Sequence, residues 1–170
     1  MNQNSTAYLS LGSNLDDRLK NLQDAVDSIH KSIAKVIDIS PIYTTPAWGF
    51  SGAEFQNICI KINTSYAPST LLDKVLQLEK KLGRQAKETT AYENRSIDID
   101  IILFDNKNVQ TEKLIIPHPR ALERKFVLIP LKDIFNENYH PFNFQSLLIN
   151  IENCKDKSNI EKLTTAIKQP

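Results

Sequence analysis

Two aspartates, Asp98 and Asp100, stand one residue apart in the run Arg95-Ser96-Ile97-Asp98-Ile99-Asp100-Ile101-Ile102-Leu103-Phe104. Apolar residues at 97, 99, 101 and 103 alternate with them, the period of two that marks a strand with one buried face. Side chains two apart on a strand share a face, which sets the carboxylates side by side about 7 Å apart. Two acids among isoleucines repel each other and lose hydration, so a cation is needed to offset them. Carboxylate oxygens suit Mg²⁺, which takes one or two carboxylates and completes its shell with water and substrate phosphates. The pair therefore reads as a metal platform for phosphate chemistry, and the same spacing also fits a solvated acidic face; other residues must decide.

Basic side chains gather around this stretch: Arg84, Lys87, Arg95, His118, Arg120, Arg124 and Lys125. Each alone reads as a surface charge, and His118 between Pro117 and Pro119 as a structural hydrogen-bonder. Together with paired acids they favour phosphate binding. The four glycines, Gly12, Gly49, Gly52 and Gly83, can build neither a Walker A loop nor a G-x-G-x-x-G turn. Metal and basic side chains would have to hold the phosphates.

The elements that carry these residues follow from periodicity. Thr6–Leu11 alternates as a strand and runs into a turn at Gly12-Ser13-Asn14. Leu15, Leu19, Leu22, Val26, Ile29 and Ile33 give a helical stripe, with Asp16 and Asp17 in the first turn and His30 and Lys31 in the last. Val36–Thr44 reads as a strand, irregular or at an edge because of Pro41. Thr45–Glu54 is a Pro- and Gly-punctuated loop carrying Trp48 and Phe50, either pinned by its aromatics or serving as a ligand clamp.

Phe55–Thr64 returns to strand alternation, with Ile58, Ile60 and Ile62 on one face and Phe55, Asn57 and Cys59 on the other. A helix follows from Pro68, with Leu71, Val75, Leu78 and Leu82 as its stripe and Gly83 as its end. Arg84–Asn94 lacks periodicity and reads as a mobile loop. After the Asp strand come a short extended piece at Leu114–Ile116, a rigid Pro117–Arg120 turn, a partly helical Ala121–Ile134 and a terminal helix at Ile160, Leu163 and Ile167.

The order strand, helix, strand, strand, helix, strand is the ferredoxin-like βαββαβ pattern, an antiparallel α+β sheet with helices on one face and appended C-terminal elements. Ile58, Ile60, Ile97, Ile99 and Ile101 should face the helices, and Phe55, Asn57, Asp98 and Asp100 the other side. The chain of 170 residues fits a single domain, with 136–170 as an extension of little pattern. A net charge of +1 argues against coating nucleic acid, and no run is apolar enough to span a membrane. Cys59 and Cys154, without a leading apolar signal segment, are expected as reduced thiols in a cytoplasmic protein.

The motifs together resemble the 6-hydroxymethyl-7,8-dihydropterin pyrophosphokinase family from about Ala7 to about Ile134. The resemblance rests on Gly12-Ser13-Asn14, Thr45-Pro46 with Gly49, Phe55-Gln56-Asn57, Leu82-Gly83-Arg84, Arg95 to Asp100, and Pro117-His118-Pro119-Arg120 with Arg124 and Phe126. It implies transfer of pyrophosphate from ATP to a pterin, with AMP released; the protein is expected to act as a monomer that contacts neither nucleic acid nor membrane. By the same resemblance Asp98 and Asp100 hold two Mg²⁺ ions, and Arg95 and Lys87 join them at the reacting phosphates. Thr45, Pro46, Trp48, Phe55, Asn57 and Phe126 match the pterin site. Glu79, Arg84, Lys87, Arg95, Ile99, His118, Arg120 and Arg124 match the ATP site. The stretch 85–94 departs from the family's Arg-Trp-Gly-Pro-Arg run. The rival reading is a ferredoxin-like module that binds RNA or a small molecule without catalysis; an RNA sheet would need a basic and aromatic strand motif that is absent.

Overall fold

A computed structural model describes residues 4–83, 93–139 and 142–170. Arg84, Lys87 and nearly all of the patternless stretch that holds them lie outside the described residues.

The first strand, β1, spans Ser5–Ser13, so Gly12 and Ser13 extend the strand where the sequence suggested a turn. Helix α1 is Arg18–Ser32. Asp17 is its N-cap, accepting from Lys20 N at 3.0 Å, and Asp16, at φ 52°, turns the chain into it. The two acids thus precede the first turn, where a carboxylate satisfies a free amide and complements the helix dipole.

The single strand expected over Val36–Thr44 is two, β2 (Lys35–Ile39) and β3 (Tyr43–Thr45). Pro41 has no amide to give, and at this break the Ser40 hydroxyl accepts from Cys59 N at 2.9 Å. Strand β4 is Phe55–Thr64 and helix α2 is Pro68–Lys81. Proline opens α2, and Gly83, at φ 90°, lies just past its end.

Strand β5 is Asp98–Phe104. The hairpin β6 (Val109–Gln110) and β7 (Ile115–Ile116) follows. Next come a 3₁₀ turn at Ala121–Glu123, helix α3 (Lys125–Ile134), helix α4 (Phe144–Asn153) and strand β8 (Glu161–Lys162). The main sheet runs β5-β1-β4-β3-β8, with β2 also on β4, and its pairs are antiparallel.

One face carries α1 and α2. Leu22, Val26 and Ile29 of α1 and Leu71 and Val75 of α2 join Ile58, Ile60, Ile97, Ile99 and Ile101 in one core, as strand parity predicts. Removal of these apolar surfaces from water is the main stabilising term.

The other face is not bare. Val127, Leu128 and Leu131 of α3 form a second core with Tyr8, Cys59 and Ile102. This corrects the expectation that helices keep to one side. Part of this second core comes from a register slip between β1 and β5: Leu9 opposes Ile101 and Tyr8 opposes Leu103, leaving Ile102 as the extra residue. Ile101 therefore faces the first core and Leu103 the second, ending the parity that 97, 99 and 101 share.

The predicted terminal helix at 160–167 does not form. Glu161–Lys162 pairs with β3 instead, Leu163 N donates to Ile42 O at 2.9 Å, and Ile167 enters the first core. The open edge of β3 provides backbone partners, whereas the 160/163/167 spacing alone could not choose between helix and strand.

Candidate active site

Helix α3 covers only part of its face. The uncovered part, over the Ser10–Ser13 end of β1, is an open cleft that Ser10, Gly12, Asn57, Asp98 and Asp100 help to line. Its floor is a cross-strand row. Gly12 opposes Asp98 on one side and Asn57 on the other, and Tyr43 opposes Asn57 beyond. Two strand spacings place Asp98 and Asn57 about 9.5 Å apart, with a residue lacking a side chain between them. In the next row Ser10 lies beside Asp100.

At the acidic end Arg95 is 8% exposed, and its Nη1 meets Asp98 Oδ2 at 2.9 Å. A charge-assisted hydrogen bond in so sheltered a place is strong and directional. The backbone around Arg95 is fixed by Asn14, the residue that follows β1. Arg95 N donates to Asn14 Oδ1 at 2.7 Å and Asn14 N donates to Arg95 O at 3.1 Å. The Asn14 amide also donates to Ala53 O and Asn94 Oδ1. One asparagine ties β1, the approach to β5 and the end of the aromatic loop together.

At the other end Asn57 and Thr45 are both buried, and Asn57 Nδ2 donates to Thr45 Oγ1 at 3.0 Å. Phe55, Pro46, Trp48, Phe50 and Phe126 line the cleft around them. Phe50 meets Phe55 edge to face, ring centroids 6.4 Å apart. The Arg124 guanidinium lies 4.9 Å from the centre of the Trp48 ring and 5.6 Å from that of Phe126, within cation–π range. The loop aromatics turn toward the cleft.

His118 stands at the margin. Its backbone amide donates to Ile102 O at 3.0 Å, and its Nδ1 accepts from Arg120 N at 3.2 Å, which leaves Nε2 to carry the proton of the neutral ring. Burial and then the charges of Arg124 and Arg120 pull its pKa below the usual value, and Asp98 opposes them without prevailing. Arg120 is exposed.

Two of the residues matched to ATP face elsewhere. Glu79 is 2% exposed and its Oε1 accepts from Ile99 N at 2.7 Å, and the Ile99 side chain is buried in the first core. That carboxylate docks α2 onto β5. Ser10, Gly12 and Phe50 line the cleft although the sequence did not single them out as site residues. Ser10 and Gly12 share the strand parity that pointed to Asn57, which is the signal that could have found them.

An acid pair and a buried arginine at one end, and a polar edge among aromatic rings at the other, make a two-substrate cleft: phosphate and metal suit the first, a flat heterocycle the second. Carboxylates on β5 fit Mg²⁺ by donor type, and among the described residues no group of three or more His, Cys, Asp or Glu side chains could hold a metal by protein ligands alone. Substrate phosphates would have to complete the shell.

The family model for 7,8-dihydro-6-hydroxymethylpterin-pyrophosphokinase (HPPK) matches residues 8–136, and the chain belongs to this family. It is 43% identical over 133 residues to 2-amino-4-hydroxy-6-hydroxymethyldihydropteridine pyrophosphokinase of Bacillus subtilis, covering 77% of this chain and 78% of that one. The protein of the same name from Aquifex aeolicus is 37% identical over 138 residues, covering 81% and 84%. Among solved structures, Plasmodium falciparum HPPK-DHPS A437G/K540E with pterin and p-hydroxybenzoate superposes with a TM-score of 0.70 at 16% identity, covering 95% of this chain and 48% of that one. The chain thus spans about half of that longer protein, and the likeness to it concerns the fold.

Among the described residues no helix is long and apolar enough to cross a membrane.

Proposed function

We propose that the protein transfers the β,γ-pyrophosphoryl group of ATP to the hydroxymethyl oxygen of 6-hydroxymethyl-7,8-dihydropterin in folate biosynthesis. The carbinol oxygen bonds to the β-phosphorus, the bond from that phosphorus to the oxygen of the α-phosphate breaks, AMP leaves, and the carbinol proton passes to solvent. The observation that carries this reading is the row Asp98, Gly12, Asn57, which puts a phosphate end and a heterocycle end in one cleft with open floor between them.

The residues divide the work by position. Asn57 and Thr45 hydrogen-bond the pterin edge, and Phe55 and Phe126 stack on its faces with Pro46 and Trp48 closing the side. Arg95, Arg120 and Arg124 neutralise and orient the phosphates, His118 donates to them from Nε2 of its neutral ring, and Arg84 and Lys87 join them by sequence match. Such a transfer asks chiefly for alignment and charge compensation. Mg²⁺, two ions by family resemblance, would be held by Asp98 and Asp100 and would supply positive charge to offset that of the phosphates. Glu79 and Ile99 contribute through the strand they fix.

We read the sheet order as the ferredoxin-like split βαβ arrangement, β2 and β3 together forming its edge strand, and the chain as one domain acting as a monomer. The free, buried thiols Cys59 and Cys154 support a reducing, cytoplasmic setting. The test is AMP release from ATP with and without the pterin. Pterin-dependent AMP supports transfer; nucleotide and pterin binding without AMP would make the protein a binding module.

A further inference from the structure

The stretch matched by the family model ends at residue 136, yet the segment that carries Arg124 and Phe126 is held from beyond it. Arg124 sits between the 3₁₀ turn and α3 with extended backbone, φ −119° and ψ 110°, and makes no side-chain cap for the helix it precedes. Both neighbours are bound by the C-terminal segment. Cys154 Sγ donates to Glu123 O at 3.5 Å, and Asp156 Oδ2 accepts from Lys125 N, the first amide of α3, at 3.1 Å.

Asp156 is itself fixed. Its other oxygen accepts from the backbone and hydroxyl of Ser158, and these bonds with the one from Lys125 outweigh burial and hold its carboxyl below the usual range. A second cavity lies behind Trp48, lined by Glu123, Cys154, Lys155 and Asp156. Trp48 is therefore a wall common to the cleft and to the space the C-terminal segment encloses.

We infer that Asp156 is a positioning residue for the cleft: by capping α3 from 31 residues downstream it sets Arg124 against Trp48 and Phe126 against the pterin end. The first turn of a helix leaves amides without intrahelical partners, and loss of a capping oxygen lets that turn fray. Phe126 lies in that turn. A frayed turn reduces the fraction of molecules ready to bind, and the apparent dissociation constant rises by the same factor. The choice of pterin as ligand rests on the proposed function; the capping role does not.

The test compares Asp156→Ala with Asn143→Ala. Asn143 caps α4 by accepting from Ser146 N at 2.9 Å, so both variants lose one helix cap, but only the first touches the cleft. The chain has one tryptophan, and its emission reports on the Arg124 stack directly. Asp156→Ala is expected to shift Trp48 emission in the unliganded protein and to raise the pterin dissociation constant by about three- to ten-fold, the size of one lost cap. Asn143→Ala should lower the melting temperature comparably and move neither reading. Unchanged Trp48 emission in Asp156→Ala, or equal changes in both variants, overturns the inference. A wild-type protein that does not bind pterin overturns the proposed function instead, while the emission result still decides the capping role.

Discussion

Gly12 and Asn57 approach so closely that a Cβ on residue 12 would stand 2.9 Å from Asn57 Oδ1, with Phe55 Cδ1 at 3.4 Å. The Asn57 amide cannot simply swing away, because its nitrogen is bonded to Thr45 Oγ1. Gly12→Ala must therefore push the amide off Thr45 or spread two paired strands. The expected outcome is a stability loss of about 1–3 kcal/mol, as for an overfilled core site, together with weaker pterin binding. Gly12→Ala combined with Asn57→Ala should cost less than the two single losses added, since the clash is then gone. Additive losses in denaturant titrations would show that the contact is not what constrains residue 12.

The two aspartates should separate chemistry from folding. Asp98→Asn and Asp100→Asn are each expected to abolish AMP release in Mg²⁺. Asp98→Asn also takes the charge from the partner of buried Arg95, and should lower stability by about 1–3 kcal/mol, less than a fully buried pair because Asp98 keeps 27% side-chain exposure. Near wild-type turnover in either folded variant would refute the metal platform.

His118 links the site to pH. Its folded pKa lies below the 6.5 of an unperturbed histidine, through burial first and then Arg124 and Arg120. Below 6.5 the unfolded chain takes up this proton before the folded one does. Its contribution to stability is therefore complete above pH 6.5 and falls as pH drops from there toward the folded pKa. His118→Gln should flatten that part of the stability profile in melts between pH 7 and pH 5, and a slope unchanged by the substitution would place the titration elsewhere.

How much of this was legible in the sequence depended on which force set each feature. Parity placed Asn57, Asp98 and Asp100 on one face because period two is a local property of a strand, and the structure brings them into one cleft. The same logic failed at Leu103, where a bulge at Ile102 reversed the faces, and a bulge follows from pairing with β1 rather than from the strand's own residues. Glu161–Lys162 pairs with the β3 edge for the same kind of reason. Glu79 illustrates a further limit: its carboxylate is used by Ile99 N, a tertiary hydrogen bond with no trace in local spacing. Gly12 read as a turn residue, and only the neighbouring Asn57 side chain shows why a side chain is excluded there.

Substrate choice gives the last test, through Phe126 and Asn57. The Phe126 ring borders the cleft near the start of α3, and Asn57 offers an amide oxygen and nitrogen on its floor. A flat bicyclic ligand stacked on that ring gains burial and ring contact, and removal of one stacking aromatic typically costs about 1–3 kcal/mol. Phe126→Ala should weaken pterin binding by that amount. It also removes one of the two rings near Arg124, but Trp48 still lies 4.9 Å away, so binding of an unreactive ATP analogue alone should change little. Asn57→Ala should likewise impair pterin more than nucleotide, because an edge that both donates and accepts is then left unmatched. Calorimetry with each ligand separately distinguishes the cases: equal losses for pterin and nucleotide would mean that these side chains hold the cleft's shape rather than read the pterin.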